Sequence, residues 1–111
     1  KLVLGDSERL PLPDGSFDVV FCCDSFHHYP DPAAVLEEVG RVLAPGGVFL
    51  LGDIWLPLPG RLLMNPFLRW NREGDVKIYS RREILNLLGR VFHQVTWRRA
   101  GGRAFVARGV R

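Results

Sequence analysis

A chain of 111 residues, 47% apolar and 24% charged, has the composition of an ordinary globular domain, which excludes a disordered or fibrous polymer. No apolar run approaches the ~18 residues that span a bilayer, so no membrane partner is expected. The net charge of +3 is uneven: residues 81–111 carry eight arginines against one glutamate, residues 1–80 seven cations against eleven acids.

The chain opens Lys1-Leu2-Val3-Leu4-Gly5-Asp6, with neither an initiator methionine nor a basic-then-apolar leader, and its first residues read as a core strand. That opening suggests part of a larger domain. After a turn-rich loop at Pro11, Pro13, Asp14 and Gly15, Phe17–Cys23 is almost continuously apolar, as in a strand buried on both faces of a parallel sheet. Cys22 and Cys23, adjacent in that strand, point to opposite faces and cannot bridge without strain. Two reduced, buried thiols and a cytoplasmic location are expected.

Asp31 and Pro32 suit the cap and first position of a helix in which Val35, Leu36, Val39, Val42 and Leu43 recur at helical spacing. Ala44-Pro45-Gly46-Gly47 is expected to end it, and Val48–Leu51 to form a second buried strand closing at Gly52-Asp53. Strand, helix, strand makes a right-handed βαβ unit. Residues 55–79 differ: Trp55–Pro59 has no regular reading, and Leu62–Trp70 suggests a short helix broken at Pro66, an insertion lying over the sheet. Ser80 and Glu83 form a capping box for a helix through Leu88, ended by Gly89. Phe92–Arg98 and Arg103–Arg108, flanking Gly101-Gly102, read as an antiparallel hairpin.

With Gly5-Asp6-Ser7-Glu8-Arg9-Leu10-Pro11, Phe17-Asp18-Val19-Val20, Phe26-His27-His28-Tyr29-Pro30-Asp31-Pro32 and Arg41-Val42-Leu43-Ala44-Pro45-Gly46-Gly47 in this order, the chain resembles class I S-adenosylmethionine-dependent methyltransferases. The small-molecule type that includes the ubiquinone and menaquinone methyltransferases is the nearest in flavour. The resemblance implies an α/β, partial Rossmann-like methyltransferase fold, a mostly parallel sheet with a C-terminal antiparallel hairpin. Residues 1–4, 17–23 and 48–53 would be the third, fourth and fifth strands, 91–98 and 103–109 the sixth and seventh, the seventh lying between the fifth and sixth. The first two strands, with the Gly-rich turn for the cofactor's amino acid part and the acid for its ribose, would be missing, and residues 1–111 would be the C-terminal portion of one domain.

The resemblance further implies S-adenosylmethionine as cofactor. Asp6 would accept from its adenine amino group, a turn cap being its other reading; Ser7 would offer a backbone N–H, and Cys23 and Asp24 would lie by its methionine part. Ligands of open α/β sheets gather beyond the carboxyl ends of the strands, which supports the last placement independently. His27 and His28 are the candidate general bases for a small-molecule acceptor that keeps its proton; packing beneath the cofactor or capping the loop is the competing role. Trp55, Met64, Phe67 and Trp70 fall where such enzymes carry a substrate cover, though a plain core helix reads equally well. No metal site is expected, because adjacent histidines rarely converge and His93 is remote. Asp24-Ser25-Phe26-His27 departs from the pattern of amino-methylating nucleic-acid enzymes. Two other readings stand beside the enzyme: a non-catalytic or split module that binds a partner chain, and an RNA-binding or RNA-methylating protein using the Arg-rich end. The portion present is expected to be inactive alone and to self-associate through bare strand edges.

Overall fold

The computed structural model describes residues 2–70 and 77–111, the side chains of 67–70 excepted. Strand β1 (Phe17–Cys23), helix α1 (Pro32–Val42), strand β2 (Leu43–Ile54), helices α2 (Leu58–Trp70) and α3 (Arg81–Gly89), and strands β3 (His93–Arg99) and β4 (Ala104–Val110) follow in chain order. A single 3-10 turn, Phe26–His28, links β1 to α1. The sheet order is β1-β2-β4-β3, with β1 and β2 parallel and β4 antiparallel to both its neighbours. The last strand therefore sits inside the sheet rather than at its edge, the mixed arrangement expected from the sequence.

Local chemistry accounts for the helix limits. Asp31 accepts from the Ala34 N–H at 3.1 Å, and Pro32 occupies the first helical position of α1. Ser80 accepts from the Glu83 N–H while Glu83 accepts from the Ser80 N–H, both at 3.1 Å, so the capping box of α3 closes in both directions. One face of the sheet holds the core: Phe49, Leu51, Phe105 and Ala107 pack against Val35, Leu36 and Val39 of α1 and Ile84 and Leu88 of α3. Each large apolar side chain removed from water in this way contributes ~1.5–3 kcal/mol. The layers meet closely at Gly109, where a Cβ would come within 2.7 Å of Phe92 Cβ.

Five sequence expectations are corrected. Leu2-Val3-Leu4 forms no strand, and Leu2 and Leu4 are fully exposed; no described neighbour offers a ladder to pair with. β1 is buried on one side only, with Phe21 72% and Val19 54% exposed, because the described sheet places it at an edge. For the same reason Cys23 is exposed and only Cys22 is half-buried, though both thiols are free as expected. The expected turn at 44–47 lies within β2, which leaves α1 directly at Leu43 and pairs there with Phe17. The surplus residues bulge out before Val48 resumes pairing with Val19, and Gly46 takes the left-handed φ of 80° this needs. Finally, α2 begins at Leu58 and continues past Pro66 to Trp70. Pro59 is tolerated in the first turn, and Pro66 only removes the N–H that would bond the Leu62 carbonyl.

Candidate functional site

Parallel pairing sets Cys23 opposite Gly52, so the carboxyl ends of β1 and β2 lie side by side. Asp24 follows β1 in the left-handed region, φ 55°, and donates its N–H to the Gly52 carbonyl at 2.9 Å. A non-glycine residue held there marks a bend the surrounding structure imposes. The chain then turns through Phe26–His28, bringing His27 back over the end of β2.

There it meets Asp53, which is 3% exposed. Asp53 Oδ2 accepts from the His27 backbone N–H at 2.9 Å, and Oδ1 lies 2.6 Å from His27 Nδ1. Oδ1 also accepts from the Ile54 N–H at 2.7 Å. A carboxylate against Nδ1 favours the tautomer with its proton there and makes Nε2 the basic nitrogen of the neutral ring. The His28 ring packs on that of His27, 4.0 Å between centroids, and is itself exposed. The two histidines thus differ: His27 is held by a buried carboxylate, His28 lies outside it.

Asp53 was not among the residues singled out in the sequence. Its position at the close of a strand was visible, but its pairing with a residue 26 positions earlier is made by the parallel sheet.

Beneath the turn, Cys22 Sγ lies 3.0 Å from Ser25 Oγ, which lies 3.2 Å from Tyr29 Oη. Burial pushes the Tyr29 phenol above its usual range. This group borders a cavity of about 170 Å³ that Ser7, Leu10 and Phe21 also line, so the segment after Gly5 and the end of β1 meet in one place. Asp6 itself is exposed in a tight turn, accepting from the Glu8 N–H at 2.9 Å. It does not follow a strand as expected, and its carboxylate caps the turn. The cavity is smaller than the ~300–1,000 Å³ typical of ligand pockets. A whole cofactor of nucleoside size would not fit in it.

Of the cover residues, Trp55 packs edge-on to Trp97 of β3, centroids 5.8 Å apart, and Met64 is half-buried in α2. The side chains of Phe67 and Trp70 lie outside the described residues. Asn65 ties α2 to the segment before α3, accepting from the Ile78 N–H at 2.7 Å and donating to its carbonyl at 3.1 Å. Leu58, Leu62 and Leu63 remain exposed. Among the described residues no group of three or more His, Cys, Asp or Glu could hold a metal ion, and no helix is long and apolar enough to cross a membrane. His93 begins β3 opposite Val110, at the far end of the sheet from His27. The C-terminal arginines do not form one stripe: Arg98 and Arg108 lie on the open sheet face, Arg81 and Arg90 at opposite ends of α3, and Arg111 bonds the Leu43 carbonyl.

Comparison with known proteins bears on this arrangement. Residues 1–51 match the methyltransferase domain family. The chain is 50% identical over 58 residues to the 27-O-demethylrifamycin SV methyltransferase of Amycolatopsis mediterranei, covering 51% of this chain and 21% of that protein. It is 33% identical over 106 residues to the 2-methyl-6-phytyl-1,4-hydroquinone methyltransferase of Synechocystis, covering 86% and 33% respectively. The fold matches that of a SAM-dependent methyltransferase from Thermotoga maritima with a TM-score of 0.79 at 22% identity, over 96% of this chain and 61% of the other. The last likeness shows the fold alone. The chain spans about a fifth to a third of the length of these curated relatives.

Proposed function

From a chain that resembles class I S-adenosylmethionine-dependent methyltransferases in sequence and shares their fold, we propose that it supplies the C-terminal portion of one methyltransferase domain, acting on a small-molecule acceptor. The observation that carries the catalytic part of this reading is the His27–Asp53 pair at the carboxyl edge of the parallel strands. S-adenosylmethionine, when bound, supplies an electrophilic methyl group. Asp24 and Cys23 would border its methionine part, and Ser7, at the cavity beside β1, its adenine part. Asp6 would reach the adenine only by giving up its turn, so its role is the weakest of the set.

His27 removes the acceptor's proton through Nε2 while Asp53, fixed on Nδ1, holds the ring in one tautomer and stabilises the imidazolium that forms. An acceptor hydroxyl or amine that keeps its proton until transfer is the chemistry this suits, and a positioned base of this kind contributes ~10²–10⁴-fold. His28 packs the outer side of the His27 ring and is assigned no proton transfer. Segment 55–79, with Trp55, Met64, Phe67 and Trp70, would cover the acceptor. The Gly-rich turn and ribose-binding acid of such enzymes have no counterpart in the sequence, so the portion present would be inactive alone. Its open sheet face and the edge of β1 would be closed by another chain or by a second copy.

The test is methyl transfer by the complete domain carrying His27→Asn or Asp53→Asn. Both should lower kcat by ~10²–10⁴-fold, with S-adenosylhomocysteine binding retained and the acid limb of the pH profile lost or moved. Unchanged kcat in both variants would leave His27 a packing residue.

A further inference from the structure

The end of the sheet that holds Asp53 continues into a cluster of aromatic rings and guanidinium groups. Asp53 of β2 pairs with Phe105 of β4, and Phe105 pairs with Arg99 of β3, so the three stand in one row. Directly paired residues project to the same face, and strands lie ~4.8 Å apart, which sets the backbones of Arg99 and Asp53 about 10 Å apart. Along this row Trp97 stacks on Phe105, centroids 5.7 Å apart, and Trp55 meets Trp97 edge-on. The Trp55 N–H bonds the Arg103 carbonyl at 2.8 Å, fixing the residue against the hairpin.

Two cations sit on this aromatic pair. The Arg99 guanidinium lies over the Trp55 ring at 4.6 Å and that of Arg81, from the first turn of α3, over Trp97 at 6.0 Å. Both arginines are exposed. A guanidinium over an indole can still offer N–H groups to a planar anion such as a carboxylate. Neither guanidinium pairs with a described acid, and the described carboxylates Asp53 and Glu83 are committed to His27 and Lys77. Among the described residues Arg99 bonds a carbonyl, that of Gly102 at 3.3 Å. The indole N–H groups of Trp55 and Trp97 are both buried with no acceptor among the described residues. An acceptor oxygen entering beneath the exposed Arg99 side chain would satisfy such a donor.

We infer that the methyl acceptor is an apolar or aromatic body bearing a carboxylate, docked on Trp55 and Trp97 with Arg99 as its principal counter-charge and Arg81 as the second. The inference rests on the methyltransferase reading for what happens at the other end of the molecule, toward His27, which Asp53 of the same row holds. It adds a charge preference that this reading does not contain.

The probes are 2-naphthoate and its neutral carboxamide, titrated by calorimetry into this chain, which holds every residue of the cluster. The carboxylate should bind about tenfold tighter than the amide, as expected for a hydrogen-bonded charge pair. Arg99→Gln should abolish that preference while leaving the amide's affinity unchanged, and Arg81→Gln should reduce it by a smaller factor. Equal binding of the two probes, absence of saturable binding by both, or a preference that survives in the double variant would each overturn the inference. Binding of S-adenosylhomocysteine to the complete domain, measured separately, keeps the two readings apart: cofactor binding without carboxylate preference sinks this inference alone.

Discussion

At the scale of single residues, the pair of thiols illustrates what a strand at an edge does to its side chains. Cys23 is exposed at the end of β1, whereas Cys22 is half-buried against Ser25. A thiol reagent applied to the folded chain should therefore modify Cys23 first, and peptide mapping after partial alkylation reads the order; equal modification would contradict the burial of Cys22. Asp53 is the residue whose loss should be felt most widely. Asp53→Asn keeps the shape but cannot accept from the His27 ring and both backbone N–H groups at once, and should cost about 1–3 kcal/mol in denaturant unfolding. His27 and His28 were legible as candidates because they stand together between two strong local signals. Their inequality was not, since it comes from a carboxylate on another strand, and no spacing within the sequence announces a partner brought in by parallel pairing.

Among the elements, α3 is the clearest case of sequence and structure agreeing, because its start is written in one local pattern, Ser80 with Glu83. Ser80→Ala should lower stability by about 1 kcal/mol, measured by urea unfolding. Glu83 adds a pH dependence. Burial raises its carboxyl, but the Lys77 ammonium and the Ser80 N–H outweigh this and hold it below its usual 4.5. A group lowered in the folded state contributes stability above the unfolded value and loses it as pH falls through the folded one. The melting temperature should therefore fall below about pH 4.5 more steeply in the native chain than in Glu83→Gln, which keeps the capping box without the charge. Parallel melting curves would remove Glu83 from the acid response. Element limits were less legible where chemistry is non-local. The Ala44–Gly47 stretch has the residues of a turn, yet β1 and the C-terminal Arg111 hold it in β2, Gly46 donating to the Arg111 carbonyl at 3.1 Å. Pro66 has the look of a breaker, and α2 passes through it.

For the whole molecule, the hairpin of β3 and β4 was readable from Gly101-Gly102 between two apolar runs, whereas the place of β4 between β2 and β3 came from the resemblance alone. Leu2–Leu4 was misread as a strand because composition alone cannot say whether a neighbour exists. Val19 and Phe21 of β1 join Leu50 in one exposed apolar surface on the open face. Such an edge pairs with other chains. Light scattering should give a mass above the 12.6 kDa of one chain, rising with concentration, and Phe21→Lys should reduce it. A monomer at every concentration would count against association through β1.

The measurement that bears most directly on the proposed function is a calorimetric titration of S-adenosylhomocysteine into this chain and into the complete domain that contains it. On the proposed reading the cavity of about 170 Å³ beside β1 takes only part of the cofactor, so micromolar binding is expected for the complete domain and none for the 111 residues alone. A complete domain that gives no binding would contradict the methyltransferase function, and equal affinity in the two would contradict the division of the cofactor site between this chain and the rest.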